Sequence, residues 1–113
     1  MKSFTVSSES VASFGWRSER KGKMTNVDIF EYVTDAGEVL VKIVTDDNFA
    51  GVGAEYAFIN HKYPGSSVTM QALLEATVNG VSIMCDELSI SVGNEEKRVY
   101  FDITDFFGKL DRP

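Results

Sequence analysis

Glu31 stands alone as a charge among residues that alternate toward one apolar side. The stretch 27–45, VDIFEYVTDAGEVLVKIVT, puts Val27, Ile29, Val33, Val39, Val41 and Ile43 on that side with the carboxylate among them. Burial disfavours the charged form of a carboxylate, so Glu31 in such a setting is a candidate general acid or base, or an anchor for a cationic ligand. The plainer expectation is that it reaches a lysine or arginine at the margin of the sheet.

Other chemistry-bearing types are sparse. His61 is the single histidine and Cys85 the single cysteine. With no second imidazole they cannot build a typical zinc site, so neither a metal nor a cofactor is expected. His61 lies near the carboxyl end of a helical segment, where a cation interacts favourably with the helix dipole. Asp86 and Glu87 follow Cys85 directly, and their negative charge disfavours a thiolate, which points to a structural thiol. Gly51-Val52-Gly53 has Tyr56 where a dinucleotide-binding fingerprint needs its third glycine. Asp46, Asp47 and Asn48 are adjacent, whereas a calcium loop alternates its oxygens. The serines lie outside any nucleophile elbow, so a Ser-His-Asp arrangement rests on residue types alone. Arg17, Arg20, Lys21 and Lys23 crowd the polar stretch RSERKGKMT, a cationic segment able to touch a phosphate or an acidic partner. The candidate binding residues are therefore Glu31, Tyr56, His61, Arg17 and Arg20, and no residue qualifies as catalytic by its motif.

Charge narrows the partner classes. Residues 1–23 hold five basic side chains against two acidic ones, a net of +3, while the remainder hold six basic and fifteen acidic, a net of -9. An acidic body repels nucleic acid and speeds encounter with a basic protein. The chain lacks an apolar run of the roughly 20 residues needed to span a bilayer, and its start, MKSFTVSSES, lacks the apolar core of a signal peptide. A lone cysteine agrees with a reducing compartment. A cytoplasmic protein without membrane contact is the expectation.

The elements that must position these groups follow from periodicity. Within 27–45 the loop Asp35-Ala36-Gly37 sets Thr34 opposite Glu38 and then pairs Val33 with Val39, Tyr32 with Leu40, Glu31 with Val41, Phe30 with Lys42 and Ile29 with Ile43. Phe4 with Val6, and Ala12 with Phe14 and Trp16, suggest two short strands separated by Ser7-Ser8-Glu9-Ser10. Residues 17–25 read as a solvated loop and 46–53 as a connector. Residues 54–63, AEYAFINHKY, read as a short helix ended by Pro64-Gly65. The strongest helical spacing is Met70, Leu73, Leu74, Thr77 and Val78, with Ser67 as cap and Asn79-Gly80 as stop, which predicts the main helix over 67–79. Val81 and Ile83 fall on odd positions but Leu88, Ile90 and Val92 on even ones, so a bulge or corner is expected at Cys85-Asp86-Glu87. Strands over 87–92 and 97–103 then pair Val92 with Lys97, with one dry and one wet face. Thr104 can cap a final helical turn carrying Phe106, Phe107 and Leu110. One phenylalanine would cover the core edge and the other face outward, and residues 109–113 would fray.

The segment VSSESVASFGW, with its paired serine and a strand ending in an aromatic before a hairpin, resembles the opening of the small KTSC domains. The later helix and second hairpin depart from that pattern, so the resemblance carries no activity or site residue onto this chain.

Together these readings predict a single α+β domain over 1–113. It is an antiparallel β-sheet of about five to seven strands, with one main amphipathic helix and one or two short helices packed on one face. For function they favour a small acidic binding or inhibitory module that acts through protein–protein contact, of the immunity or anti-defence type, over an enzyme. The alternatives are a small-molecule-binding protein with a pocket between sheet and helix containing Glu31, and a small enzyme with Glu31 as general base. Self-association through a sheet edge or through Phe106 and Phe107 fits any of these.

Overall fold

The computed structural model describes residues 1–7 and 9–108. In chain order it runs β1 (Lys2–Phe4), β2 (Ala12–Arg20), β3 (Lys23–Val33), β4 (Val39–Val44), α1 (Asn48–Lys62), β5 (Ser67–Val78), β6 (Val81–Val92) and β7 (Glu95–Asp102). The strands form one sheet in the order β1-β5-β6-β7-β4-β3-β2.

The class is α+β, but the sheet is mixed: β1 runs parallel to β5 and β4 parallel to β7. The reason lies in α1. A helix crossing the sheet returns the chain to the end where β4 began, so β5 starts in the direction of β4. After two reversals β7 runs the same way and pairs beside β4.

The hairpin of β3 and β4 has the register its alternation implies, from Val33 opposite Val39 to Ile29 opposite Ile43. Its turn closes with Gly37 N donating to Thr34 O at 2.8 Å.

Residues 67–79 are not a helix. They form β5, antiparallel to β6, with Val78 opposite Val81. Asn79 (φ 50°) and Gly80 (φ 84°) both lie in the left-handed region, the geometry of a two-residue type I′ hairpin turn rather than a helix stop. The same residues also alternate, since Met70, Ala72, Leu74, Ala76 and Val78 share one side. A helix at this position would leave β6 without its outer neighbour. Residues 17–25 are likewise not a loop. Lys21 (φ 53°) and Gly22 (φ 77°) form a second tight turn, and β2 pairs with β3 from Ala12 opposite Glu31 to Arg20 opposite Lys23. Solvent-facing charges on this edge strand hide the apolar alternation.

No bulge occurs at Cys85-Asp86-Glu87. The register irregularity is on β5, between Val68 and Met70, while β6 runs straight. The change in apolar parity along β6 has a different cause: both faces of the sheet are covered, Ile83 and Cys85 packing on one and Leu88 and Ile90 on the other. Val92 lies opposite Glu95 rather than Lys97, so the turn is Gly93-Asn94. Residues 104–108 form turns rather than a helix, with Phe106 buried and Phe107 exposed. Leu110 and the fraying end 109–113 lie outside the described residues.

The helix begins earlier than its apolar pattern suggests. Asp47 caps it, its Oδ1 accepting from Ala50 N at 3.1 Å. Ala50, Gly51, Ala54, Glu55, Phe58 and Ile59 face the sheet. Small residues bring the first turns close: a Cβ on Gly51 would lie 2.6 Å from the Phe106 ring, and one on Gly53 2.7 Å from Trp16. Phe58 anchors the far end, stacked on Phe14 at 6.2 Å and edge-on to Phe101 at 5.8 Å. Burying side chains such as Phe58 and Ile59 contributes about 1.5–3 kcal/mol each before entropy is counted. Phe49, Val52 and Tyr56 remain exposed on the outer side, which weakens the amphipathic contrast.

The opposite face carries a second apolar cluster of Phe4, Leu40, Ala76, Ile83, Cys85 and Tyr100. The N-terminal segment lies over it. Phe4 meets Tyr100 edge-on at 5.0 Å, and Lys2 Nζ bonds Glu38 Oε2 at 2.6 Å.

Candidate functional site

Glu31 is on β3, on the helix-facing side of the sheet, and is 8 % exposed. Its Oε2 accepts from Lys62 Nζ in an ion pair, Lys62 being the last residue of α1. The carboxylate therefore meets a cation at the sheet margin. His61, next to Lys62, is exposed and lies 5.6 Å from the Phe14 ring. Arg20 sits at the other end of α1, its guanidinium 4.5 Å above the Phe49 ring. Arg17 is exposed on β2, with Nε 3.4 Å from Asn26 Oδ1. Tyr56 lies on the outer side of α1 with Phe49 and Val52. The fold brings Glu31 and His61 to one end of the helix and leaves Arg17, Arg20 and Tyr56 elsewhere.

A buried pair of carboxyls is more unusual than any of these. Glu55 projects from α1 into the interior, is 1 % exposed, and its Oε1 has no hydrogen-bond partner. The carboxyl of Asp86 on β6, itself buried, lies within interaction distance of it. Burial first, and the neighbouring Asp86 second, push Glu55 up to about 9, so it holds its proton at neutral pH. Such a pair can exchange a proton, but both members are closed off beneath the helix. Glu55 escaped the sequence reading because the charge becomes inward-facing only once the register of α1 is known. In sequence Asp86 shows only as part of the expected bulge and as a negative charge beside Cys85.

Cys85 is fully buried on the opposite face. Burial first, with Asp102 and Asp86 adding to it, pushes the thiol up to about 12, well away from the thiolate that nucleophilic chemistry needs. Among the described residues no three His, Cys, Asp or Glu side chains gather as metal ligands.

Two surface features remain. A cleft of about 340 Å³ opens on the face away from α1, lined by Val6, Tyr32, Leu40, Val78, Val81 and Ile83, with Lys42, Asn79 and Asp102 as its polar members. The pocket expected between sheet and helix was to contain Glu31, whereas this one lies on the other side of the sheet and does not. The second feature is the outer edge of β5. The partner β1 covers only Ala76, Thr77 and Val78, so among the described residues no strand pairs with the outer side of residues 67–75. Val68, Met70 and Leu73 are exposed there.

No family model, curated protein or solved structure matches the chain. Among the described residues no helix is long and apolar enough to cross a membrane.

Proposed function

We propose that this protein is a small acidic binding module that takes an extended segment of a basic protein partner along the free edge of β5. The carrying observation is the composition of that edge. Residues 67–74, SVTMQALL, contain no charge and no proline, and nothing among the described residues pairs with their outer side. An open row of backbone N–H and C=O groups is a template for another strand, and natural edges are commonly blunted by charges, prolines or bulges. The other edge of the sheet is guarded in this way, since β2 carries Arg17, Glu19 and Arg20. β5 carries one irregularity near its start and its first charge at Glu75. Main-chain hydrogen bonds would supply affinity, with Met70 and Leu73 as apolar contacts on opposite sides of the added strand. A net charge of -6 favours encounter with a basic partner. An inhibitory role of the immunity or anti-defence kind follows where that partner is itself an effector.

The test is affinity capture from a lysate of the source organism, with Leu73→Lys as the comparison. Leu73 is 53 % exposed, so the substitution leaves the fold intact and places a charge on the edge. The expected result is a stoichiometric basic partner that is lost with Leu73→Lys and released as salt is raised. Capture unaffected by Leu73→Lys would overturn the reading. So would a dimer of this chain in light scattering that Leu73→Lys dissociates, because the edge would then belong to a second copy.

A further inference from the structure

The N-terminal segment is pinned across the sheet at several points. Thr5 O accepts from Asp35 N at 2.8 Å, and Ser7 Oγ bonds Asp35 Oδ2 at 2.7 Å. Asn79 grips the backbone of Val6 from both sides, Oδ1 accepting from Val6 N at 2.9 Å and Nδ2 donating to Val6 O at 3.0 Å. Val6 is thereby fixed as one wall of the 340 Å³ cleft, a volume within the range of about 300–1,000 Å³ typical of ligand sites.

Asn79, Asp102 and Lys42 differ in how far their polar atoms are already engaged. Both ends of the Asn79 amide are committed to Val6. Asp102 Oδ1 accepts from Thr104 N at 3.1 Å and from Thr104 Oγ1 at 2.6 Å, which fixes the carboxylate and leaves Oδ2 for another donor. Lys42 is the register neighbour of Asp102 on the adjacent parallel strand, yet the two form no ion pair. Its ammonium has no hydrogen-bond partner among the described residues. One cleft thus presents a cation and an anion side by side, with Leu40, Val81 and Ile83 forming an apolar wall.

We propose that the cleft binds a small hydrophobic α-amino acid as its zwitterion. The carboxylate pairs with Lys42, the ammonium with Asp102, and the aliphatic side chain lies on Leu40, Val81 and Ile83. A simple anion would bring a second negative charge beside Asp102, and a simple cation a second positive charge beside Lys42. A neutral apolar molecule would use the Leu40, Val81 and Ile83 wall but neither charge. A ligand bearing both signs close together meets each of the two charges with its opposite. This site is separate from the β5 edge and does not depend on it.

The experiment is an amide NMR titration of the full chain with L-leucine and its two single-charge relatives, 4-methylpentanoate and isopentylamine. Leucine is expected to shift the signals of Tyr32, Lys42, Ile83 and Asp102, with each relative binding about tenfold more weakly for want of one charge-assisted contact. Lys42→Met, at an exposed position, is expected to weaken leucine about tenfold and to leave isopentylamine no weaker. Leu73→Lys is expected to leave leucine binding unchanged, which separates this site from the partner edge. Equal binding of all three probes would overturn zwitterion recognition, and leucine shifts absent from the cleft would overturn the site itself.

Discussion

Glu55 is the residue whose position departs furthest from ordinary packing, because a carboxyl under a helix must either find partners or stay protonated. Its ordinary value is 4.5, and in the fold it is raised to about 9. Between those values the folded chain keeps a proton that the unfolded chain has released. The contribution of this group to stability is therefore fullest below about pH 4.5 and is lost as pH rises toward 9, with a slope of up to about 1.4 kcal/mol per pH unit. Glu55→Gln removes the titration and keeps a donor for Asp86. Urea unfolding from pH 5 to pH 9 is expected to show a flatter dependence in the variant and greater stability than the parent at the alkaline end. Identical profiles would show that Glu55 does not carry the effect. Cys85 offers a second check at this scale. A fully buried thiol raised to about 12 is expected to resist iodoacetamide at pH 8 in the native protein and to react once urea unfolds it, as followed by mass spectrometry. Glu31 was legible from the sequence because alternation alone places it on a face, whereas its Lys62 partner depends on where α1 ends. The Glu55–Asp86 pair was not legible, since it needs the inner side of α1 brought within side-chain reach of β6.

At the scale of elements, α1 depends on what its glycines leave open. Gly51 faces the Phe106 ring so closely that an added Cβ would lie 2.6 Å from it. Replacing glycine by alanine inside a helix gains about 1 kcal/mol of propensity, but overpacking a core costs about 1–3 kcal/mol. Gly51→Ala is therefore expected to be neutral to destabilising by up to about 2 kcal/mol and to shift the NMR signals of residues 104–108, where Phe106 is held. A gain of the full propensity term would show that the ring moves freely. The β5–β6 hairpin illustrates how one sequence serves two periods. Met70, Leu73, Leu74, Thr77 and Val78 satisfy helical spacing, and Met70, Ala72, Leu74, Ala76 and Val78 satisfy alternation. Asn79-Gly80 can end a helix or turn a hairpin. The eleven Cα partners that β5 finds on β6 decide the matter, and those contacts are made only when both segments are extended.

Across the whole molecule, the sheet is covered by two unlike layers. The α1 layer is a helix seated on Val27, Ile29, Val41 and Ile43, and the other is a short segment carrying Phe4. Phe4 is 2 % exposed, and truncating a buried phenylalanine typically costs about 3–5 kcal/mol. Phe4→Ala is expected to lose about that much in urea unfolding and to speed iodoacetamide labelling of Cys85, which shares its cluster. Unchanged labelling would mean that the N-terminal segment does not shield this face. The β5 edge is the complementary case. Leu73→Lys is expected to change stability by no more than about 0.5 kcal/mol, as surface substitutions usually do, while removing partner capture. A large loss of stability would place Leu73 in the core rather than on the edge.

What the amino-acid sequence determined by itself was local: the hairpin of β3 and β4 with its register, the apolar side of it that carries Glu31, the division of Phe106 from Phe107, and the uneven charge. Each depends on residues close together in the chain, where alternation and turn chemistry act without reference to anything distant. The tertiary structure alone decided that residues 67–79 extend, that β7 runs parallel to β4, that Glu55 faces Asp86, and that Lys42 and Asp102 share a cleft. Each of these joins segments far apart in sequence. Their free energy comes from apolar burial and backbone pairing that exist only once the whole sheet has closed around α1.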